Sequence, residues 1–211
     1  MQTLEREISI QENLDKNCAI HTINSEIDTI IKLRDGLNSS LTKALDVMQN
    51  AKGRIILTGM GKSGHIGKKI AASLASTGTP SFFVHPAEAS HGDLGMITED
   101  DVVIAISNSG ESRELVDILN YCKRFGIKLI AITKNAESSL GKAGDIVLLL
   151  PNNGEACPLG LAPTNSTTAT LVLGDILTAG LIQRKGFTKS DFNQRHPGGK
   201  PVSYTHLRAH E

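Results

Sequence analysis

This 211-residue sequence has few cysteines, no formal net charge and no long apolar run, and each of these features excludes some classes of protein. Its three cysteines, Cys18, Cys122 and Cys157, are odd in number and lack metal-site spacing, which predicts a reducing cytoplasm. Equal numbers of acidic and basic residues leave no electrostatic footprint for nucleic acid or an anionic membrane. No apolar run approaches a bilayer span, and the N-terminus is charged where a signal peptide would be apolar. The composition predicts a soluble enzyme or binding domain without a nucleic-acid or membrane partner.

A glycine-rich turn follows the first apolar strand. Residues 55–58 run into Gly-Met-Gly-Lys-Ser-Gly at residues 59–64. Such a turn frees backbone N–H groups at the start of the next helix, where the helix dipole also favours an anion. We therefore expect Gly61, Lys62 and Ser63 to hold a phosphorylated ligand, although Lys62 alone would also suit a solvated loop.

A second turn of this kind follows the apolar segment 102–106. It reads Ser-Asn-Ser-Gly-Glu-Ser at residues 107–112. Its hydroxyls predict phosphate donors, while the same hydroxyls would also suit N-caps of the following helix. The binding candidates here are Ser107, Asn108, Ser109 and Ser112.

Two other phosphate motifs share part of the first turn. A Walker A loop requires Gly-x-x-x-x-Gly-Lys-Ser, and its first glycine would fall at Ile56, inside the strand. That mismatch excludes a nucleoside triphosphate loop. Gly59, Gly61 and Gly64 do fit the dinucleotide fingerprint, but the second strand ends at His85 where an acidic ribose ligand is expected. A dinucleotide site stays open as the weaker alternative.

Strands and helices alternate along most of the chain. A polar arm at residues 1–22, frayed or helical, precedes one helix predicted over residues 23–48 by apolar residues at helical spacing. The predicted strands are 54–58, 81–84, 102–107, 128–133 and 146–150. The predicted helices between and after them are 66–76, 111–125, 138–143 and 167–182. Near-continuous Ile, Val and Leu strands separated by helices predict an α/β fold with a doubly wound five-stranded parallel sheet and an N-terminal helical arm.

The predicted strand order is flavodoxin-like, 2-1-3-4-5. In such a sheet the switch point lies between the carboxyl ends of strands 1 and 3, which carry the two turns. Topology and loop chemistry therefore predict one crevice. The last residues, 200–211, have no periodicity and resemble translated adapter sequence, so we expect a non-native tail that carries no function.

Several motifs in order make the sequence similar to one family. They are the two turns, His85-Pro86, His-Gly-Asp-Leu-Gly at 91–95, Glu-Ala-Cys-Pro-Leu-Gly at 155–160 and His-Pro-Gly-Gly at 196–199. Together they resemble the sugar-isomerase (SIS) domain of arabinose 5-phosphate isomerases over residues 25–199. The serine loop occurs in SIS domains of many functions, whereas the last two motifs are far more specific. Typical members continue into two CBS domains, and the abrupt departure at Lys200 makes a truncated coding sequence the expected explanation.

The resemblance implies an aldose–ketose isomerase. It would interconvert D-arabinose 5-phosphate and D-ribulose 5-phosphate through an enediol and feed 3-deoxy-D-manno-octulosonate and lipopolysaccharide synthesis, with capsule and sugar-alcohol pathways as other settings. No cofactor is expected to be required, although zinc could be captured at His85. The alternative is a non-catalytic sugar-phosphate-binding SIS regulator, which would have no need of Glu155 and His196.

Isomerisation needs a base beside the carbonyl, an acid for the enediolate oxygen and a phosphate anchor. Glu155 follows the last strand at the same sheet edge as the two turns, and is the preferred acid/base partner. His196 lies beyond the closing helix, and histidine is the side chain most often used for proton transfer near neutral pH. The resemblance implies that it reaches an active site of the assembled oligomer, its own or a neighbour's. The resemblance also adds Glu114 to the catalytic candidates, and Lys62 joins them through its position in the glycine-rich turn. Which of Glu155, Glu114 and His196 is base and which is acid stays open.

Four further residues have plain alternatives. His85 and His91 bracket the loop after strand 2, where they would bind sugar hydroxyls or be ordinary loop histidines. Gly78 and Thr79 are binding candidates on the resemblance alone, and an ordinary turn is the alternative.

The N-terminal helix predicts self-association. Its apolar stripe is formed by Ile27, Ile30, Leu33, Leu37 and Leu41. A single sheet with its own helices has little room to bury this stripe, so we expect a homo-oligomer, a tetramer built from dimers. Packing of the arm on its own sheet is the alternative.

Overall fold

The computed structural model describes residues 2–196, which are built around one five-stranded sheet. Its strands are β1 (Ile55–Gly59), β2 (Ser81–Phe83), β3 (Val102–Ile106), β4 (Lys128–Thr133) and β5 (Ile146–Leu149). All neighbouring strands pair in parallel, in the order β2-β1-β3-β4-β5. The predicted doubly wound α/β fold is therefore confirmed.

Helices cover both faces of the sheet. They are α1 (Gln2–Asp35), α2 (Ser39–Gln49), α3 (Gly61–Ser76), α4 (Pro86–Ala89), α5 (Val116–Phe125), α6 (Ser139–Ala143), α7 (Asn165–Lys185) and α8 (Lys189–Arg195). Two 3-10 turns, Asp93–Met96 and Arg113–Leu115, complete the connections. No helix within residues 2–196 combines the length and apolar content needed to cross a bilayer.

The strands alternate between two apolar cores because successive side chains point to opposite faces. Ile55 and Leu57 pack in one core, which also holds buried residues of α2, α3 and α7. Ile56 and Val103 pack in the other core with buried residues of α5. Burial on both faces explains the near-continuous apolar strands of the sequence.

The single helix predicted over residues 23–48 is wrong. Gly36 N–H still bonds Lys32 O at 3.0 Å, but the helix then stops, and α2 starts again at Ser39. The cause is Asn38, whose side-chain oxygen accepts a hydrogen bond from Ser40 N–H at 2.8 Å. A side chain that competes in this way favours an N-cap over a helix interior. The apolar spacing continues across the break because α1 and α2 both contact α7.

The N-terminal arm is helical, since α1 begins at Gln2 and continues without interruption through residue 22. The division of the chain at residue 22 stays a prediction. Residues 200–211, expected to be a non-native tail, lie outside the described part of the chain.

Three further helices differ from the prediction. The helix predicted from residue 66, α3, begins already at Gly61, inside the glycine-rich turn. The helix expected from residue 111 begins at Val116, because residues 107–112 fold against the start of α6, where Leu140 N–H bonds Gly110 O at 3.0 Å. Gly110 has φ of +75°, and a Cβ there would lie 1.9 Å from Ser138 Oγ, so this contact requires glycine. At the closing helix, α7 begins at Asn165 and extends beyond the predicted end.

A buried carboxylate joins the amino ends of β1 and β3. Asp101 accepts hydrogen bonds from Arg54 N–H at 2.6 Å, Thr98 N–H at 2.8 Å and Thr98 Oγ1 at 3.0 Å. Burial alone would raise the pKa of Asp101, but the hydrogen bonds from Thr98 and Arg54 outweigh it and lower the pKa below its ordinary value. Asp101 therefore stabilises the folded state when it is ionised.

Asp101→Asn is expected to lower the free energy of unfolding at pH 7 by about 1–3 kcal/mol, the usual worth of hydrogen bonds to a charged group. Because the folded pKa is lowered, this stabilisation is present above the unfolded pKa and is lost as pH falls through the folded pKa. The difference between variant and wild type should therefore shrink in acid. Urea denaturation at a series of pH values measures it. Asp100→Asn, at the exposed neighbouring position, is the control.

Candidate functional site

The turn between β1 and α3 presents an uncapped helix N-terminus. Gly61 has φ of +53°, a left-handed value that glycine adopts without strain. The N-cap residue Met60 makes no side-chain hydrogen bond, and the first turn of α3 has no acidic residue. Lys62 and Ser63 lie in this first turn. Free N–H groups, the helix dipole and a lysine therefore favour an anion at this position.

The serine loop is held in a fixed turn by its own hydroxyls. Ser107 Oγ lies 2.9 Å from Ser112 Oγ and accepts Gly110 N–H at 3.1 Å. Ser109 Oγ accepts Glu111 N–H at 3.2 Å. The N-cap alternative for these serines is wrong, since α5 begins after them without a side-chain cap. Their hydroxyls shape the loop beside the start of α3.

Two adjoining pockets lie at the carboxyl edge of the sheet. The phosphate-loop pocket, of about 180 Å³, is lined by Met60, Lys62, Ser63, Ile66, Asn108, Pro163, Ser166, Thr167 and Thr170. The Glu155 pocket, of about 260 Å³, is lined by Asn108, Lys134, Pro151, Asn152, Gly154, Glu155, Gly160, Leu161, Pro163 and Ser166. They share Asn108, Pro163 and Ser166. The shared wall makes them two ends of one crevice, at the predicted switch point.

Glu155 is bound to the N-terminus of α7. Its Oε2 accepts Thr164 N–H at 2.7 Å, Thr164 Oγ1 at 3.2 Å and Ser166 N–H at 3.2 Å. Burial alone would raise the pKa of Glu155, but the hydrogen bonds from Ser166 and Thr164 lower it below its ordinary value. Near neutral pH this group is a half-buried carboxylate, suited to accept a proton.

The structure brings eight of the predicted residues to the crevice and its two turns. Lys62, Ser63, Asn108 and Glu155 line the pockets. Gly61, Ser107, Ser109 and Ser112 lie in the adjacent turns. The remaining six predicted residues line neither pocket, and they form two separate groups.

The first group lies beside β2. His85 is the N-cap residue of α4, His91 follows that helix, and Glu114 lies in the 3-10 turn that contacts α4. Glu114 is therefore not one turn inside a helix, as the sequence suggested, but in the exposed turn before α5. β2 adjoins β1, so this group is at the same sheet edge as the crevice.

His85 was the predicted zinc ligand. Its Nδ1 is buried and has no hydrogen-bond partner among the described residues. A zinc site needs three or four protein ligands. Among the described side chains of residues 10–196, no three His, Cys, Asp or Glu residues are grouped so that they could hold a metal ion. These residues of one chain do not fit a resident zinc ion.

The second group lies at the opposite, amino edge of the sheet. Gly78 and Thr79 precede β2, and Lys185 Nζ donates a hydrogen bond to Thr79 Oγ1 at 2.9 Å. A Cβ on Gly78, where φ is +90°, would meet the Phe187 ring at 2.8 Å and Arg195 Cζ at 3.9 Å. The end of α8 therefore packs against this turn.

His196 follows α8 at the same edge. Its ring stacks on Phe192 with centroids 3.8 Å apart, and its Nδ1 lies 2.9 Å from Phe192 O. A carbonyl only accepts, so Nδ1 carries the proton and Nε2 remains available. A strand the length of β1 separates the two edges by roughly 15 Å. His196 and Glu155 of one chain therefore do not meet.

Three residues that bind Glu155 or share its pocket are absent from the predicted site. Thr164 and Ser166 hold the Glu155 carboxylate, and Lys134 adds a second lysine beside it. The Pro-Thr-Asn-Ser sequence before α7 is a helix-start signal that marks free N–H groups. Lys134 directly follows β4, at the carboxyl edge where ligands of such sheets bind.

The fold and the crevice define a doubly wound domain whose switch point holds a crevice that favours an anion. A family model described as "SIS domain" matches residues 48–179. The chain belongs to the SIS domain family.

Individual relatives show which members of the SIS domain family this chain resembles. Arabinose 5-phosphate isomerase KdsD of Pseudomonas aeruginosa is 55% identical over 193 residues, which cover 91% of this chain and 59% of that protein. The protein of the same name from Escherichia coli strain K12 is 55% identical over 174 residues, which cover 82% and 53%. A solved structure from Escherichia coli CFT073, in complex with arabinose 5-phosphate, is 43% identical with a TM-score of 0.83, and covers 90% of this chain and 98% of that chain. The resemblance to arabinose 5-phosphate isomerases is confirmed, and the chain spans a little over half the length of the curated relatives.

The hydrogen bonds to Glu155 lead to a prediction about its titration. We expect its pKa, followed by carbon-detected NMR of the side-chain carboxyl, to lie below the ordinary value of 4.5. Thr164→Val removes a donor that stabilises the ionised form, so the pKa should rise. Thr164→Ser keeps the hydroxyl and should keep the wild-type titration. A wild-type pKa above 4.5 would contradict the hydrogen bonding described here.

Proposed function

We propose that this chain is an aldose–ketose isomerase that interconverts D-arabinose 5-phosphate and D-ribulose 5-phosphate through an enediol. One observation carries the proposal: an ionised glutamate adjoins, through a shared wall, a pocket at an uncapped helix N-terminus. Relatives named arabinose 5-phosphate isomerase, and a solved relative in complex with that sugar phosphate, support this choice of substrate.

The substrate phosphate binds at the start of α3. Lys62 and Ser63 contact it there, with the serine loop of residues 107–112 on the other side. Because the two pockets share Asn108, the sugar carbons extend past that side chain into the Glu155 pocket. The phosphate is a remote anchor, bound alike in the ground and transition states.

Glu155 is the base in the aldose-to-ketose direction. It takes the C2 proton of the open-chain aldose, and the electron pair forms the C1–C2 double bond of the enediolate. His196, with protons on both ring nitrogens, delivers the Nε2 proton to O1, and the neutral ring that results then takes the proton of O2. Glu155 returns its proton to C1, which leaves the ketose and restores both groups.

His196 in this mechanism comes from a second copy of the chain. The two edges of one sheet hold Glu155 and His196 apart, so a site containing both must combine two chains. Gly78 and Thr79 would accompany His196, which gives these amino-edge residues a role in the partner's site. His85, His91 and Glu114 lie at the carboxyl edge of β2, where they would bind sugar hydroxyls.

The exposed face of α1 supports this assembly. Several large apolar side chains of α1 remain exposed to solvent, and they are Ile10, Leu14, Ile20, Ile23, Ile27, Ile30 and Ile31. The contact of α1 with the body of the domain is made mainly through α7. We propose a homotetramer built from dimers, with α1 in an interface.

The setting follows from the same proposal. The reaction moves protons within one molecule, so no cofactor is required, and zinc at His85 would at most occupy a binding site. The three cysteines are unpaired, which supports the cytoplasm. The product would feed 3-deoxy-D-manno-octulosonate and lipopolysaccharide synthesis. Binding of arabinose 5-phosphate without turnover would instead favour the sugar-phosphate-binding regulator.

Glu155→Gln and His196→Asn are each expected to lower kcat by at least about a hundredfold without unfolding the protein, because each removes a proton-transfer group. A coupled assay of ribulose 5-phosphate formation measures this. Glu99→Gln and His21→Asn, which change the same residue types at exposed positions outside the crevice, are matched controls and should keep wild-type turnover. Normal turnover in Glu155→Gln would remove the proposed base.

Mixing the two inactive variants tests the shared site. If Glu155 and His196 of one site come from different chains, co-expressed Glu155→Gln and His196→Asn will form some sites in which both residues are intact. Activity should then return to a substantial fraction of wild type, whereas each variant alone stays inactive. Light scattering on the same samples reports the oligomer. A mixture as inactive as its components would place both residues of each site on one chain.

A further inference from the structure

Two asparagines connect the N-terminal helix to the loop that carries Glu155. Asn153 Nδ2 donates a hydrogen bond to Thr29 Oγ1 at 2.6 Å. Asn165 Nδ2 donates to Ser25 Oγ at 2.7 Å and to Gly154 O at 3.2 Å. Ser25 and Thr29 are one turn apart on α1, so they present both hydroxyls to the same loop. We call the side chains of Ser25, Thr29, Asn153 and Asn165 the α1 clamp.

Two residues of the α1 clamp are buried. Thr29 and Asn165 are each only 1% exposed. Thr29 Oγ1 donates its own proton to Ser25 O at 2.8 Å, which leaves its lone pairs for Asn153. A buried amide that loses such a partner retains its full desolvation cost, so the contact is worth more than an exposed hydrogen bond.

The two asparagines of the α1 clamp flank Glu155 in the sequence. Asn153 and Gly154 immediately precede it, and Asn165 lies between Thr164 and Ser166, which hold its carboxylate. No regular secondary structure spans residues 151–163, so the backbone there relies on such side-chain contacts for its position. The amide of Asn165 thus joins α1, the Glu155 loop and the start of α7.

We propose that Ser25 and Thr29 are positioning residues for Glu155, acting through Asn165 and Asn153. Neither hydroxyl lines the crevice or touches the substrate. They fix the loop so that the Glu155 carboxylate stays at the α7 N-terminus and within reach of the substrate carbon. This inference rests on the proposed isomerase function and assigns α1 a part in its chemistry.

Thr29→Val tests the proposal with a matched control on the same helix. Thr22 Oγ1 donates to Cys18 O at 3.0 Å, the same i−4 bond that Thr29 makes, but within the described residues Thr22 makes no hydrogen bond to the Glu155 loop. Thr29→Val should lower kcat by between about tenfold and a hundredfold, because a small misplacement of a reacting group has that effect. KM should change much less, since the phosphate site is untouched. Thr22→Val should match wild type, and Thr29→Ser should restore activity.

The pKa of Glu155 supplies a readout that does not depend on turnover. A loosened loop weakens the hydrogen bonds that lower this pKa, so NMR titration of Thr29→Val should show it raised toward its ordinary value. Wild-type kcat together with an unchanged Glu155 titration in Thr29→Val would overturn the proposal. A wild type that is inactive on arabinose 5-phosphate would instead defeat the proposed function, while the titration still decides the clamp.

A second pair of variants tests the proposal if Thr29→Val does not fold. If urea denaturation shows Thr29→Val to be unfolded, two variants at less buried positions replace it. Asn153→Ala removes the Asn153–Thr29 hydrogen bond, and Ser25→Ala removes the Asn165–Ser25 hydrogen bond. Each variant should lower kcat. The double variant Asn153→Ala/Thr29→Ser should have a kcat no lower than that of Asn153→Ala alone. Wild-type kcat in both single variants would refute the clamp.

Discussion

Parallel pairing of β1 with β3 determines where the chemistry can occur. The pairing aligns Gly59 with Ile106, so the turns that follow both strands leave the sheet side by side. The start of α3 and the serine loop then face one crevice, to which the loop after β5 adds Glu155. The same constraint sends every residue that precedes a strand to the other edge. Gly78, Thr79 and the end of α8 collect there, so the proposed mechanism needs a second copy of the chain to complete the site.

Glu155 combines two requirements that oppose each other. Hydrogen bonds at the α7 N-terminus keep it ionised, but a lowered pKa also makes it a weaker base. A substrate phosphate adds negative charge to the same crevice, and like charges raise the pKa of a carboxylate. In the proposed mechanism, substrate binding would therefore strengthen Glu155 as a base. A base of modest strength depends heavily on its position, and contacts with α1, α7 and the loop backbone hold the region around Glu155.

The sequence predicts the sheet order and both turns because apolar strands and glycine-rich turns are local signals. It fails at Asn38, where the apolar spacing continues across a helix break because two helices share one partner, α7. It also misses Thr164 and Ser166, because the helix-start signal there marks free N–H groups without indicating which carboxylate they bind. Eight of the predicted site residues lie at the crevice or in its two turns, whereas the separation of His196 from Glu155 depends on which sheet edge each reaches. This separation arises from the tertiary fold, so it cannot be predicted from residue spacing in the sequence.

Helix α1 is long, and its polar contacts with the Glu155 loop lie near its C-terminal end. Its 34 residues form a helix of about 51 Å, while the polar contacts of Ser25 and Thr29 lie near one end of it. Residues 10–21 project as exposed surface, and a helix transmits a tilt along its axis because its own hydrogen bonds keep it stiff. If the α1 clamp positions Glu155 as proposed, a partner that tilts α1 at residues 10–21 would also move the loop beside Glu155. An exposed side chain such as Ile10 would then influence the proposed proton transfer from several helical turns away.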